Sequence, residues 1–168
     1  MSAEEGASPA DGTGEEKGAA VRLPPPVVPV IALVFGLVVE SLVLATGPWL
    51  GDVVRYAGGA TVVGVGIGLL LTAAGLFRAT GQDPKPWEPS PELIVRGIYR
   101  YTRNPMYVSF GLLQAGLGIV FGSLWPLALV PVTGWIIYQT AIRHEEAYLR
   151  EKFGEPYEAY LRDVRRWI

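Results

Sequence analysis

The placement of charge narrows the folds open to this chain more than any other feature. Long apolar runs occupy residues 27–46, 53–79, 105–121 and 124–142, while most Lys, Arg, Asp and Glu lie before, between and after them. A helix rises about 1.5 Å per residue, so roughly 20 apolar residues cross the ~30 Å hydrocarbon layer of a bilayer. The expected fold is therefore all-α: a polytopic membrane protein with about four transmembrane helices and a cytoplasmic C-terminal helical tail. Half of the 168 residues are hydrophobic, which agrees. The net charge of -2 averages an acidic leader against basic segments, so it carries no nucleic-acid signal. With no cysteine and one histidine, disulfides, thiolate catalysis and Cys- or His-rich metal sites are excluded. No metal is expected.

In chain order, residues 1–26 read as a disordered acidic leader, rich in Gly, Ala, Ser and carboxylates and ending in three prolines. Residues 27–79 read as two transmembrane helices separated by Gly47-Pro48-Trp49. Ala60, Gly64, Gly68 and Thr72 recur at a spacing of four within the second, a pattern that lets membrane helices approach closely. Gly64-Val65-Gly66-Ile67-Gly68 looks like the start of a nucleotide-binding glycine fingerprint. That reading fails because the fingerprint needs a preceding strand and a final glycine where Leu69 stands.

Residues 80–103 form a polar, basic, proline-rich cytoplasmic loop. Residues 104–142 read as a transmembrane helical hairpin that turns at Gly122-Ser123 and kinks at Pro131. Residues 143–168 read as a cytoplasmic helical tail, interrupted at Phe153-Gly154. In its second helix Tyr157, Tyr160, Leu161 and Val164 share a face, which suits either lying on the membrane or covering a pocket. Of the fourteen Lys and Arg residues, only Arg55 falls outside the leader, the central loop with Arg78, and the tail. An even number of spans places those three segments on one side, and the positive-inside rule makes that side cytoplasmic.

Two opposite charge clusters stand at the mouths of the hairpin. Arg100, Arg103 and the tyrosines at 99, 101 and 107 precede and open its first arm, and Glu145-Glu146 follows its second. The two arms, 104–122 and 124–145, are about 27 and 32 Å long at the helical rise, so antiparallel pairing returns the acids to the level of Arg103 and Tyr107. The first helical turn also offers unpaired N–H groups, with Pro105 placed where its missing donor costs nothing. Each cluster alone fits a structural role, as headgroup anchors or a solvated acid pair. Their coincidence fits a site equally well.

The segment Leu93-Ile94-Val95-Arg96-Gly97-Ile98-Tyr99-Arg100-Tyr101-Thr102-Arg103-Asn104-Pro105-Met106-Tyr107, then Glu145-Glu146, Phe153-Gly154-Glu155-Pro156-Tyr157-Glu158-Ala159-Tyr160 and Val164-Arg165-Arg166-Trp167, resembles the isoprenylcysteine carboxyl methyltransferase and phospholipid methyltransferase superfamily of integral membrane enzymes. The resemblance covers about residues 93–168. It implies an S-adenosylmethionine-dependent methyltransferase whose cofactor site is built from the cytoplasmic part of the hairpin, completed by the tail. On that resemblance Arg103, Glu145 and Glu146 are the catalytic-site residues. Tyr99, Arg103, Asn104, Pro105, Tyr107, Glu145 and Glu146 form the cofactor-binding set. Many members carry histidine where Asn104 stands; His144 adjoins the acidic pair but is not the motif histidine. The implied partners are the lipid bilayer and a lipophilic acceptor, either an isoprenylcysteine-like carboxylate, a phospholipid amine or a small thiol. An inactive family member, or a membrane interaction protein that binds lipid or cofactor without turnover, is the rival.

Glu40 is the outlier, an acid within the first apolar run. It is expected to face the bundle or a wet cavity, either partnering a polar group on another helix or binding substrate.

Overall fold

The computed structural model describes residues 19, 21, 23–81, 83–88 and 90–168. Most of the acidic leader lies outside the described residues; of its end, Ala19 donates its N–H to the Pro86 carbonyl at 2.9 Å, and Val21 and Leu23 pack on the body.

All regular structure among the described residues is helical. Helix α1 spans Val27–Leu42, four residues short of the expected run, because the chain leaves the helix at Val43 to form a loop that Glu40 holds. A π-helical segment, Val54–Gly58, leads into α2, Gly59–Ala79. A short 3-10 turn, Gly97–Arg100, precedes α3, Pro105–Phe121. The second arm of the hairpin is α4, Trp125–Ala128, then α5, Val130–Ile137. A π-helical segment, Tyr138–Ile142, joins α5 to α6, Arg143–Phe153, and α7 is Glu155–Asp163.

Of the four expected spans, the helix Val54–Ala79 is by itself long and apolar enough to cross a membrane; Val27–Leu42 and Pro105–Phe121 are shorter apolar helices. The fourth run is broken, and the break sits at Leu129, two residues ahead of the proline expected to kink it. Proline lacks an N–H and crowds the preceding turn, so the chain reorganises upstream of Pro131. The outer surface is apolar: Ile31, Val34, Phe35, Val65, Leu71 and Trp135 are all exposed.

The close packing of α2 uses a different face from the one its small-residue spacing suggests. Gly64 and Gly68 face open space. Gly59 meets α3 instead, where an added Cβ would lie 2.6 Å from Val120 Cγ2 and 3.0 Å from the Gly116 carbonyl oxygen. Gly116 is reciprocal, with Val63 N at 2.9 Å from the position of a Cβ. Two glycines opposite one another let the backbones touch, and Gly66 and Ala73 continue that buried line. A spacing of four says that small residues share a face; it does not say which face meets a neighbour.

At the hairpin turn Gly122 is left-handed (φ 71°), which closes α3. Here Glu40 is resolved as a structural partner. Its carboxylate accepts hydrogen bonds from Thr46 N (2.6 Å), Thr46 Oγ1 (2.6 Å), Gly47 N (3.0 Å) and Ser123 Oγ (2.9 Å). One acid thus ties the loop after α1 to the turn between α3 and α4, reinforced by Trp125 Nε1 donating to Leu44 O at 2.9 Å.

Candidate functional site

At the opposite end of the bundle the two charge clusters meet. Arg103, just ahead of α3, places Nη1 3.6 Å from Glu146 Oε1, and the hydroxyl of Tyr107, in the first turn of α3, donates to Glu145. The π-helical segment before α6 contributes to this aim, since one extra residue per turn re-phases the helix that carries both acids.

Glu146 is buried and doubly held. Arg166 Nε and Nη2 reach its two oxygens at 2.9 and 3.0 Å, a bidentate pair, with Arg103 as the weaker third partner. This hydrogen bond raises the Arg166 pKa further above the ordinary guanidinium value. Among the described residues, Glu145 has no arginine in hydrogen-bond contact. Burial pushes its pKa up to about 7; the Tyr107 hydroxyl opposes that rise and the neighbouring Glu146 charge adds to it. The acid pair is thus electrostatically split, one committed to guanidinium groups and one poised near neutrality.

A cavity of about 110 Å³ opens here, lined by Tyr99, Arg103, Asn104, Pro105, Tyr107, Glu145 and Glu146, the seven residues of the implied cofactor-binding set. Phe77, Met106, Tyr148, Tyr157 and Tyr160 supply much of its apolar and aromatic wall. Among the described residues, Tyr99 Oη and Arg103 Nε are buried polar atoms without a hydrogen-bond partner, and both belong to cavity-lining side chains. Unsatisfied buried donors are costly unless something else satisfies them. Burial also raises the Tyr99 phenol pKa, keeping it a neutral donor.

Local sequence explains the positions. Gly97 has φ 59°, and a Cβ there would lie 2.9 Å from Leu76 Cδ1, so glycine allows the turn that seats Tyr99 against α2. Tyr99 packs edge-on against Phe77 and its carbonyl accepts from the Tyr160 hydroxyl at 2.7 Å. Of the two roles open to the α7 face, pocket cover is the one observed, with Tyr157 and Tyr160 buried. Tyr101, interleaved with the others in sequence, is 75% exposed and lies away from the cavity. His144 is also exposed.

Asn104 takes a role that the sequence did not indicate. Its Nδ2 donates to the Arg166 carbonyl at 3.0 Å, beside Thr102 Oγ1 to the same oxygen at 3.2 Å and Arg103 N to Arg165 O at 2.9 Å. The last residues of the tail are clasped across the start of α3 by these three bonds. That clasp is what delivers Arg166 to Glu146. Sequence reasoning placed Arg166 in the motif-bearing tail but gave it no function; its only signal was a basic residue beside Trp167.

These features define a class: a chain helical throughout its described regular structure, with an apolar exterior and, at one end, a cavity where two carboxylates and a guanidinium meet aromatic rings. The chain belongs to the phospholipid methyltransferase family, whose profile matches residues 54–156, 103 of the 168 residues. It is similar to protein-S-isoprenylcysteine O-methyltransferase of Schizosaccharomyces pombe (strain 972 / ATCC 24843), 36% identical over 72 residues that cover 43% of this chain and 30% of the relative. It is also similar to probable protein-S-isoprenylcysteine O-methyltransferases of Oryza sativa subspecies indica and japonica. Each is 34% identical over 80 residues, covering 46% of this chain and 41% of the relative. The match thus spans less than half the length of these curated relatives. No solved structure matches the chain.

Proposed function

We propose that this protein is an integral membrane methyltransferase that moves the methyl group of S-adenosylmethionine to a lipophilic acceptor. The acceptor classes that the reading admits are an isoprenylcysteine-like carboxylate, a phospholipid amine and a small thiol. The observation that carries it is the convergence, in a family member, of Arg103, Tyr107, Glu145 and Glu146 on a cavity that also holds the unpartnered Tyr99 Oη and Arg103 Nε. The apolar exterior and the gathering of cations at one end support a four-span topology with the site and both termini on the cytoplasmic side.

The residues present fit the cofactor chemically. It carries an ammonium, a carboxylate and a sulfonium, and the cavity offers carboxylates, a guanidinium and aromatic rings. Arg103 holds the methionyl carboxylate. Glu145 or Glu146 would hold the ammonium or the ribose hydroxyls, and the tyrosine rings that line the cavity would pack against the adenine or the sulfonium. A cavity of about 110 Å³ is smaller than the ~300–1,000 Å³ of most small-molecule sites, so admission of the cofactor requires its lining to move outward.

When bound, the donor supplies a methyl group on a good leaving group, and no covalent enzyme nucleophile is needed. The chain's own work is alignment and exclusion of water. Tyr107 separates this cavity from an apolar groove between α3 and α5, where the acceptor approaches from the bilayer side.

The test is transfer of labelled methyl from S-adenosylmethionine to a lipid or thiol extract by purified protein, alongside cofactor binding by Arg103→Ala and Glu146→Ala. Transfer, with weakened binding in both variants, is expected. Binding without transfer to any extract would favour the inactive family member; equal binding by wild type and both variants sinks the site assignment.

A further inference from the structure

The cavity beside Glu145 and Glu146 has two kinds of wall. One is strongly held: Arg103 and Arg166 grip Glu146, the Tyr107 hydroxyl donates to Glu145, and the Tyr160 hydroxyl fixes the Tyr99 carbonyl. The other lies outside the helices and is made by Ala19 together with Pro84, Lys85, Pro86 and Ser90 of the loop after α2. Residues 84, 86 and 91 are prolines, which have no N–H to donate, so little backbone bonding holds this loop. Among the described residues, two hydrogen bonds tie residues 83–91 to distant parts of the chain. Ser90 N donates to the Tyr148 hydroxyl of α6 at 3.2 Å, and the Pro86 carbonyl accepts from Ala19 N at 2.9 Å.

Ala19 is 4% exposed although it precedes the first helix. After it, Val21 and Leu23 pack half-buried on the cluster of Val28, Ile137, Ala141 and Ile142, against which Tyr107 also packs. The chain ahead of α1 thus reaches from the apolar body to the edge of the cavity. Its attachment is apolar at one end and a neutral hydrogen bond at the other. Such a bond adds little net stability, so the Ala19–Pro86 junction is where the wall parts at least cost. At about 110 Å³ the cavity must open to take a cofactor, and a wall that closes again behind the donor keeps water from the sulfonium.

Resting on the methyltransferase reading above, we propose that Ala19, Val21 and Leu23 form a strap that gates cofactor exchange. The Ala19–Pro86 bond breaks to admit S-adenosylmethionine past the proline loop, re-forms over it, and breaks again to release the product. Val21 and Leu23 keep the strap on the body while its Ala19 end swings. A gate moves the rates of entry and exit in the same direction, whereas loss of a cofactor contact raises the exit rate alone.

The chain has no cysteine, so one pair can be introduced cleanly. Ala19→Cys with Pro86→Cys places two thiols across a backbone hydrogen bond, within reach of a disulfide or a short bismaleimide. Association and dissociation of labelled S-adenosylhomocysteine are timed on the full chain in nanodiscs before joining, after joining and after reduction of the disulfide. Joining is expected to slow both by about tenfold or more, and reduction to restore them. Val21→Gln with Leu23→Gln loosens the strap at residues that do not line the cavity, and is expected to speed both by about threefold or more. The proposal is overturned if the joined protein exchanges product as fast as the unjoined one, which puts the entrance elsewhere in the lining. It is also overturned if neither reagent joins the pair, or if the loosened strap slows exchange or leaves it unchanged. Product binding at unchanged rates in every variant rejects the gate and leaves the cofactor site standing; no product binding by wild type under any condition rejects both.

Discussion

The two ends of the helical bundle each hold half-buried or buried glutamates, and they use them in opposite ways. At one end Glu40 accepts four hydrogen bonds, from Thr46 twice, Gly47 and Ser123, and closes a loop onto a turn. At the other, among the described residues, Glu145 meets a tyrosine hydroxyl and no other hydrogen-bond donor, Glu146 is shared between two arginines, and Tyr99 Oη and Arg103 Nε nearby have no partner. An acid saturated by local donors is a structural device. An acid surrounded by unspent hydrogen-bonding capacity and a cavity has room and donors left for a ligand. The difference teaches that a buried carboxylate is not by itself a mark of function; the state of its neighbours decides.

The largest expected effect separates the ends directly. Glu146→Ala should weaken S-adenosylhomocysteine binding on the order of tenfold to a hundredfold, the loss of a charge-assisted contact, as read by calorimetry. Glu40→Ala should leave that binding within about twofold while lowering the thermal unfolding midpoint. A reversed pattern would break the comparison.

Next in size is the packing that holds both ends in register. Gly116→Ala puts a methyl 2.8 Å from Val63 Cγ2 and 2.9 Å from Val63 N. It should cost about 1–3 kcal/mol in unfolding free energy. Gly64→Ala, on the open face of α2, should stay within about 0.5 kcal/mol of wild type.

Glu145 gives a pH signature that the closed end should lack. Its pKa stands at about 7 in the folded chain against an ordinary 4.5. The folded form thus holds the proton more tightly, so this group's contribution to stability is fully present below about pH 4.5 and is lost as pH rises to about 7. Cofactor binding runs the other way, strengthening from pH 6 to 8 as the carboxylate ionises, by up to about tenfold per pH unit below the pKa. Glu145→Gln should flatten both curves; a pH-independent wild type would remove Glu145 from the ammonium site.

The smallest effect sharpens the closed end. Ser123→Ala removes one of the four donors to Glu40, and its unfolding midpoint should fall less than that of Glu40→Ala. A fall as large would mean that the loop hangs on Ser123 alone.

Much of this was legible in the chain itself. The all-helical architecture, the limits of α3, the turn at Gly122 and the breaks at Gly154 and ahead of Pro131 follow from local chemistry: apolar periodicity, proline's missing donor and glycine's freedom at positive φ. The convergence of Arg103 and Tyr107 with Glu145 and Glu146 was also accessible, because helical rise converts residue counts into length and a tight hairpin equalises its arms. What only the tertiary structure decided concerns faces and partners. Sequence spacing could not show that α2 packs on Gly59 and Gly66 rather than on Gly64 and Gly68, since both lines are small and the choice depends on the groove that α3 presents. It could not show that Glu40 is saturated, because its donors come from a loop and from Ser123, 83 residues away. Nor could it show that Asn104 clasps the tail and that Arg166 holds Glu146, for those contacts join residues some 20 to 64 positions apart, and local propensity carries no information across such a distance.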